Sequence, residues 1–157
     1  MATDTTRAAA GTKFSIASGA PATYDAAGFA AQTYKNIGRI QNGGEFDKQF
    51  EIITANFLDR RGTLKRKGTW DAGDLSLEVA LATDEGQTLC ETAMDSDDDY
   101  SIKVSLSNGV VYYLRGIVTA FRMRVGGPND LLTATITIGL NPIPATGGDV
   151  AGIKVAS

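Results

Sequence analysis

Residues 100–116 read YSIKVSLSNGVVYYLRG, and the alternation inside this stretch decides the fold class. Tyr100, Ile102, Val104 and Leu106 alternate with Ser101, Lys103 and Ser105. A period of two places the apolar set on one face of a strand and the polar set on the other. Asn108-Gly109 then supplies the residue pair favoured in a tight hairpin turn, so Val110–Leu114 is expected to return beside the first strand.

The same period extends outward in both directions. Downstream, Gly116 is read as a separator, after which Ile117, Phe121, Met123 and Val125 share a strand face opposite Val118, Ala120, Arg122 and Arg124. The turn residues Gly126, Gly127, Pro128, Asn129 and Asp130 lead into Leu132–Leu140, where Ala134, Ile136 and Ile138 alternate with Thr133, Thr135 and Thr137. Upstream, Leu75, Leu77, Val79 and Leu81 alternate with Ser76, Glu78 and Ala80, and Lys13–Ala17 and Phe46–Thr54 complete the set. In Phe46–Thr54 the pattern sets Phe46, Phe50 and Ile52 against Asp47, Gln49 and Glu51.

About seven strands result, which predicts a mainly β protein built as a sandwich or barrel. One α-helix interrupts them over about 84–94: Asp84 is the N-cap, Gln87 three residues later makes a capping box, and Leu89, Cys90 and Ala93 form the apolar side. Ala26–Gln32 is a weaker helical turn, interrupted by Gly28.

The chain of 157 residues fits one domain, 1–157, with a β core over 13–140. Residues 1–12 read as a small-residue arm, and 141–157, interrupted by Pro142, Pro144, Gly147 and Gly148, as a second arm outside the core. No run approaches the roughly 20 apolar residues of a membrane span, and the N-terminal residues lack the parts of a secretory signal.

Two residue counts narrow the chemistry. The sequence contains no histidine and one cysteine, Cys90, so catalytic sites built on Ser-His-Asp or Cys-His, histidine-ligated zinc and four-cysteine zinc are excluded. An intramolecular disulfide is excluded too, and Cys90 is read as a small buried hydrophobe. Nothing in the remaining pattern points to an enzyme or a cofactor.

Charge is uneven along the chain although its sum is only −3. Five of the 15 basic residues, Arg60, Arg61, Lys65, Arg66 and Lys67, fall within eight positions that show little apolar periodicity, and 55–74 is therefore expected to be a long loop. Ten of the 18 acidic residues lie between Asp71 and Asp99: Asp71, Asp74, Glu78, Asp84, Glu85, Glu91, Asp95, Asp97, Asp98 and Asp99. That span holds no lysine or arginine. Only Phe57 and Trp70 flank the basic cluster, too few aromatic residues for a base-stacking surface. The run DSDDDY lacks the spacing of a helix–loop–helix calcium site and reads as a solvated acidic turn.

Four segments in order, GTKFSIAS, AAGFAAQTYKNIGRIQNGGEF, ITANFLDRRGTLKRKGTWDAGDLSLEVAL and DDDYSIKVSLSNGVVYYLRG, resemble the major tail tube proteins of bacteriophages with long non-contractile tails. The resemblance spans about Gly11 to Leu140. It implies a structural virion protein, made in the host cytoplasm and sited in the tail, whose copies form hexameric rings stacked into a conduit for DNA ejection. It implies no enzyme activity, no membrane, and as partners other copies of the chain, a tape-measure protein, double-stranded DNA in the lumen and further tail components at the tube ends. A tube or terminator component of a contractile tail or secretion system is the alternative, and a soluble β-sandwich binding module is a weaker one.

Residue roles follow from that resemblance. Arg60, Arg61, Leu64, Lys65, Arg66, Lys67 and Trp70 are the candidates for an inter-ring loop, and Asp71, Asp74, Asp95, Asp97, Asp98 and Asp99 for the acidic surface that meets it. A tube that passes DNA should avoid a basic wall. The polar strand faces therefore supply the lumen candidates: Asp47, Gln49, Glu51, Ser76, Glu78, Thr133, Thr135 and Thr137.

Overall fold

A computed structural model describes residues 8–145 and 148–155. Its elements run β1 (Lys13–Ala17), α1 (Ala26–Ala30), β2 (Lys35–Ile37), β3 (Ile40–Asn42), β4 (Gln49–Ala55), β5 (Leu64–Asp71), β6 (Asp74–Ala80), α2 (Glu85–Met94), β7 (Tyr100–Ser105), β8 (Val111–Arg124), β9 (Thr133–Asn141) and β10 (Ile153–Val155). The main antiparallel sheet has the order β2-β1-β7-β8-β9-β6-β3, with β10 on β8, while β4 and β5 form a separate two-stranded ribbon.

The long strand β8 makes this a sandwich. Its first part, Val111–Gly116, pairs with β7, and its second, Arg115–Arg124, pairs with β9, with a bulge between Val118 and Ala120. Bulges bend the bulged strand and increase its twist, so the sheet turns over on itself here. The inward residues of both halves meet in one core: Phe14, Ile16, Ile102 and Val104 from one side, Leu75, Leu77, Val79, Ile136 and Ile138 from the other. Helix α2 adds Cys90 and Ala93 to the same core.

The strands with clean alternation fall where they are expected. In β6, Leu75, Leu77 and Val79 are fully buried while Ser76 and Glu78 are exposed. The β7–β8 turn places Gly109 at φ +92°, a backbone conformation that a side chain disfavours. Helix α2 begins at the expected cap: the Asp84 carboxylate accepts from the Gln87 backbone N–H at 2.8 Å.

Five expectations are corrected. Ile117 does not share the face of Phe121: the bulge between Val118 and Ala120 shifts the alternation, so that Val118 and Phe121 are both buried in the core while Met123 and Val125 are exposed. Gly116 does not separate two strands but lies inside β8, where a Cβ would come within 2.5 Å of the Gly139 carbonyl oxygen; its lack of a side chain serves close strand approach. The span 55–74 is not one long loop, since Leu64–Asp71 pairs along β4 from Ala55↔Leu64 to Gln49↔Asp71. Its sequence shows no burial period because the ribbon is solvated on both faces, with Ile52 66% and Ile53 58% exposed.

Residues 141–157 are not an arm outside the core either. Ile143 is fully buried in a second small cluster with Phe29 and Tyr113, and β10 pairs with the start of β8. Apolar residues at 143, 150, 151 and 153 outweigh the Pro and Gly interruptions; Thr146, Gly147, Ala156 and Ser157 lie outside the described residues. At the other end, residues 8–11 are exposed as an arm should be, with Ala8 accepting from the Ser107 hydroxyl at 2.6 Å, while residues 1–7 of the expected arm lie outside the described residues. Finally, Phe46 leaves the face of Phe50 and Ile52, packing edge-on against Tyr112 of β8 at 5.2 Å between centroids.

Candidate assembly surfaces

The ribbon β4–β5 is the least buried part of the fold. Register partners Phe50 and Trp70 sit on one face, with Lys48 Nζ 5.4 Å and Lys67 Nζ 5.0 Å from the Phe50 ring centroid. Ile52 and Lys65 continue this face by alternation. On the opposite face Ile53 lies across Gly68, followed by Leu64 and Arg66. The turn at its end holds Phe57 and Leu58 in solvent, with Arg60 N–H donating to the Phe57 carbonyl and Thr63 Oγ1 to Asn56 Oδ1.

The basic candidates are thus brought together. Arg60 and Arg61 lie in the turn; Leu64, Lys65, Arg66, Lys67 and Trp70 lie on β5. The aromatic interleaving that sequence spacing concealed comes from the partner strand: Phe50 is 17 positions from Lys67 but lies under its ammonium. Between Ile52 and Gly68 there are five cations and one carboxylate, Asp59, and among the described residues none of these cations forms an ion pair.

The acidic candidates divide. Asp71 and Asp74 flank the tight β5–β6 connection, where the Asp71 carboxylate accepts from Gly73 N–H at 2.9 Å. Asp99 is engaged within its own chain by Arg115 and Asn141. Asp95, Asp97 and Asp98 remain exposed just past the C-terminal end of α2, a helix with no basic residue in its last turn. The partial negative charge of a helix C-terminus adds to theirs.

The lumen candidates also separate. Ser76 and Glu78 of β6 lie opposite Thr137 and Thr135 of β9, and β8 continues the rows, so that Arg122, Thr135 and Glu78 run side by side, as do Arg124 and Thr133. The rows set cations and a carboxylate on one polar face. Asp47, Gln49 and Glu51 stand on or before the ribbon instead, because β4 belongs to the second sheet; Asp47 enters it at φ +125°. Gln49 and Glu51 thus belong to a different sheet from Glu78 and the threonines.

Buried polar groups serve the fold. Gln87 accepts from Ala82 N–H through Oε1 at 2.9 Å and donates through Nε2 to the carbonyls of Gly38 and Ala80. Burial, with the Asp84 charge nearby, pushes the Cys90 thiol up to about 12. That thiol stays protonated and unreactive at neutral pH. No group of three or more potential metal-ligating residues occurs among the described residues, and no helix is long and apolar enough to cross a membrane.

No protein-family model matches the sequence, and no curated protein matches it. Solved structures do match the fold. A chain in the sheath/tube terminator of an extracellular contractile injection system, in the extended state, superposes with a TM-score of 0.68 at 12% identity, covering 99% of this chain and 100% of that one. A chain in the six-fold symmetrised baseplate of the anti-feeding prophage gives 0.66 at 12% identity, covering 90% and 94%. A chain in the tube-terminating cap of the same particle gives 0.54 at 12% identity, covering 92% and 88%. The injection-system neighbour is a contractile particle, so the expected non-contractile type gains no support from it; at 12% identity the likeness to all three is one of fold.

Proposed function

We propose that the chain is a structural subunit of the tube, or of the component that ends it, in a contractile tail or injection particle. Copies associate sideways into rings and head to tail into a stack, the first contact closing and the second remaining open. The observation that carries this reading is the correspondence with the injection-system chain over essentially the whole length of both. The symmetry of the baseplate neighbour favours six copies per ring. The solvated ribbon supports it independently, because exposed apolar side chains grouped on one projecting element mark an interaction surface.

In this reading the ribbon and its turn reach a neighbouring subunit, and the polar face around Glu78, Thr135 and Thr137 is the candidate for the channel wall. In a tail that carries a genome, the lumen holds a tape-measure protein and then double-stranded DNA. Negative-stain electron microscopy of the purified protein over a range of concentrations tests the proposal. Rings of uniform diameter or filaments are expected, and a monodisperse monomer at every concentration would overturn it.

A further inference from the structure

Resting on that reading, we infer that the lysine-bearing face of the ribbon docks on the C-terminal end of α2 in a second copy of the chain. The two surfaces have the same layout with opposite charge. On the ribbon, Phe50 and Ile52 form an apolar centre beside Lys65 and Lys67. At the helix end, exposed Met94 is the apolar centre beside Asp95, Asp97 and Asp98.

Three observations select this partner from the wider acidic span. Asp99 is already neutralised by Arg115, Asp84 is committed to capping α2 and to Gly38 N–H, and Asp71 holds its own turn. Glu85 pairs with Lys35 at 3.2 Å, and of the six carboxylates that remain, Asp74, Glu78, Glu91, Asp95, Asp97 and Asp98, the last three fall within four positions directly after α2. The ribbon cations likewise have no carboxylate partner among the described residues, which leaves them free to meet an intermolecular one. A phosphate backbone would satisfy the lysines but not Ile52, which is 66% exposed between them. A protein surface with an apolar centre satisfies both, and the net charge of −3 disfavours polyanions generally.

The contact is heterologous, since the ribbon of one copy meets a different surface of the next. Such a contact propagates unless its rotation closes a ring. It therefore contributes to assembly without requiring a second protein.

Charge exchange tests the pairing. Lys65→Glu with Lys67→Glu, and separately Asp95→Lys with Asp97→Lys, should each raise the critical concentration for assembly about tenfold, because several individually weak pairs become repulsive together. Combining all four substitutions should return it to within about threefold of the original, since the pairs are re-formed with reversed sign. All the altered side chains are exposed, and an unchanged melting curve identifies folded variants. If both double variants fail to assemble and the quadruple variant fails equally, the pairing is wrong while the assembly reading stands. An unaltered protein that never assembles defeats both. A monomer that binds a DNA duplex at physiological salt through Lys65 and Lys67 also overturns the inference, with phosphate in the place assigned to the carboxylates.

Discussion

Arg115 grips Asp99 with two hydrogen bonds, from Nε at 2.9 Å and Nη2 at 2.6 Å, while Asn141 Nδ2 donates to the other carboxylate oxygen at 2.7 Å. Nη1 of the same arginine reaches the Pro142 carbonyl at 3.3 Å. One partly buried cluster thus ties the start of β7, the middle of β8 and the end of β9 to the segment that returns as β10. Arg115→Ala should cost about 2 kcal/mol in urea unfolding, the scale of hydrogen bonds to charged groups. Asp99→Ala should cost a similar amount, because it strands both donors. Neither change should alter the salt dependence of assembly, since this ion pair is satisfied within the subunit.

Gln87 is the more sensitive single position. Gln87→Ala leaves the Ala82 N–H and the Gly38 and Ala80 carbonyls without that partner in a closed part of the fold. A loss of about 2–3 kcal/mol is expected, more than the roughly 1 kcal/mol of removing the cap with Asp84→Ala from its α2 contact alone. A loss below about 1 kcal/mol for Gln87→Ala in chemical denaturation would show that these three bonds do not hold the fold.

These two sites show what was legible in the sequence. Asp84 and Gln87 stand at the spacing of a capping box, and the Asp84 half is formed as expected. The Gln87 half is not, because its amide is drawn to β6 and the β2–β3 connection, segments whose proximity no local pattern encodes. Strands β6, β7 and β9 were readable because one face of each is sealed in the core and the other is polar, which writes a period of two into the chain. Ribbon strand β5, with the residues LKRKGTWD, has solvent on both faces and writes none. For the same reason the lysine–aromatic face was invisible: it is assembled from Phe50 and Lys67 by strand pairing. The short strands β2, β3 and β10 are three residues each, below the length at which alternation can be distinguished from chance.

The buried thiol gives a pH-dependent prediction. With the Cys90 thiol raised from 9.0 to about 12, the folded state holds its proton more tightly than the unfolded chain. The associated stability is fully present below about pH 9 and is lost as pH rises toward 12. The stability difference between the protein and Cys90→Ala should therefore shrink over that alkaline window and be constant between pH 6 and about 8. In parallel, an aromatic disulfide reagent should leave Cys90 unlabelled in the native protein at pH 8 and react with it in denaturant. Rapid native labelling would show that α2 opens readily.

The ribbon separates folding from assembly and supports the sharpest test of its role. Ile53 pairs with Arg66, so removing Thr54–Lys65 and joining these two residues through Asn-Gly closes a shorter hairpin in register. The residues removed include the turn, the exposed Phe57 and Leu58, and three of the five clustered cations, Arg60, Arg61 and Lys65. None of them belongs to either apolar core cluster. The melting temperature should therefore move by less than about 3 °C, the shift that roughly 1 kcal/mol produces in a domain of this size. Assembly should be strongly weakened, because the turn and Lys65 are gone from the element that reaches the neighbour, while Phe46 and Trp70, which anchor the ribbon base to the core, remain. Unfolding of the shortened protein would assign the ribbon to stability. Tubes of normal length from the folded, shortened subunit would remove the turn and the outer half of the ribbon from the intersubunit contact.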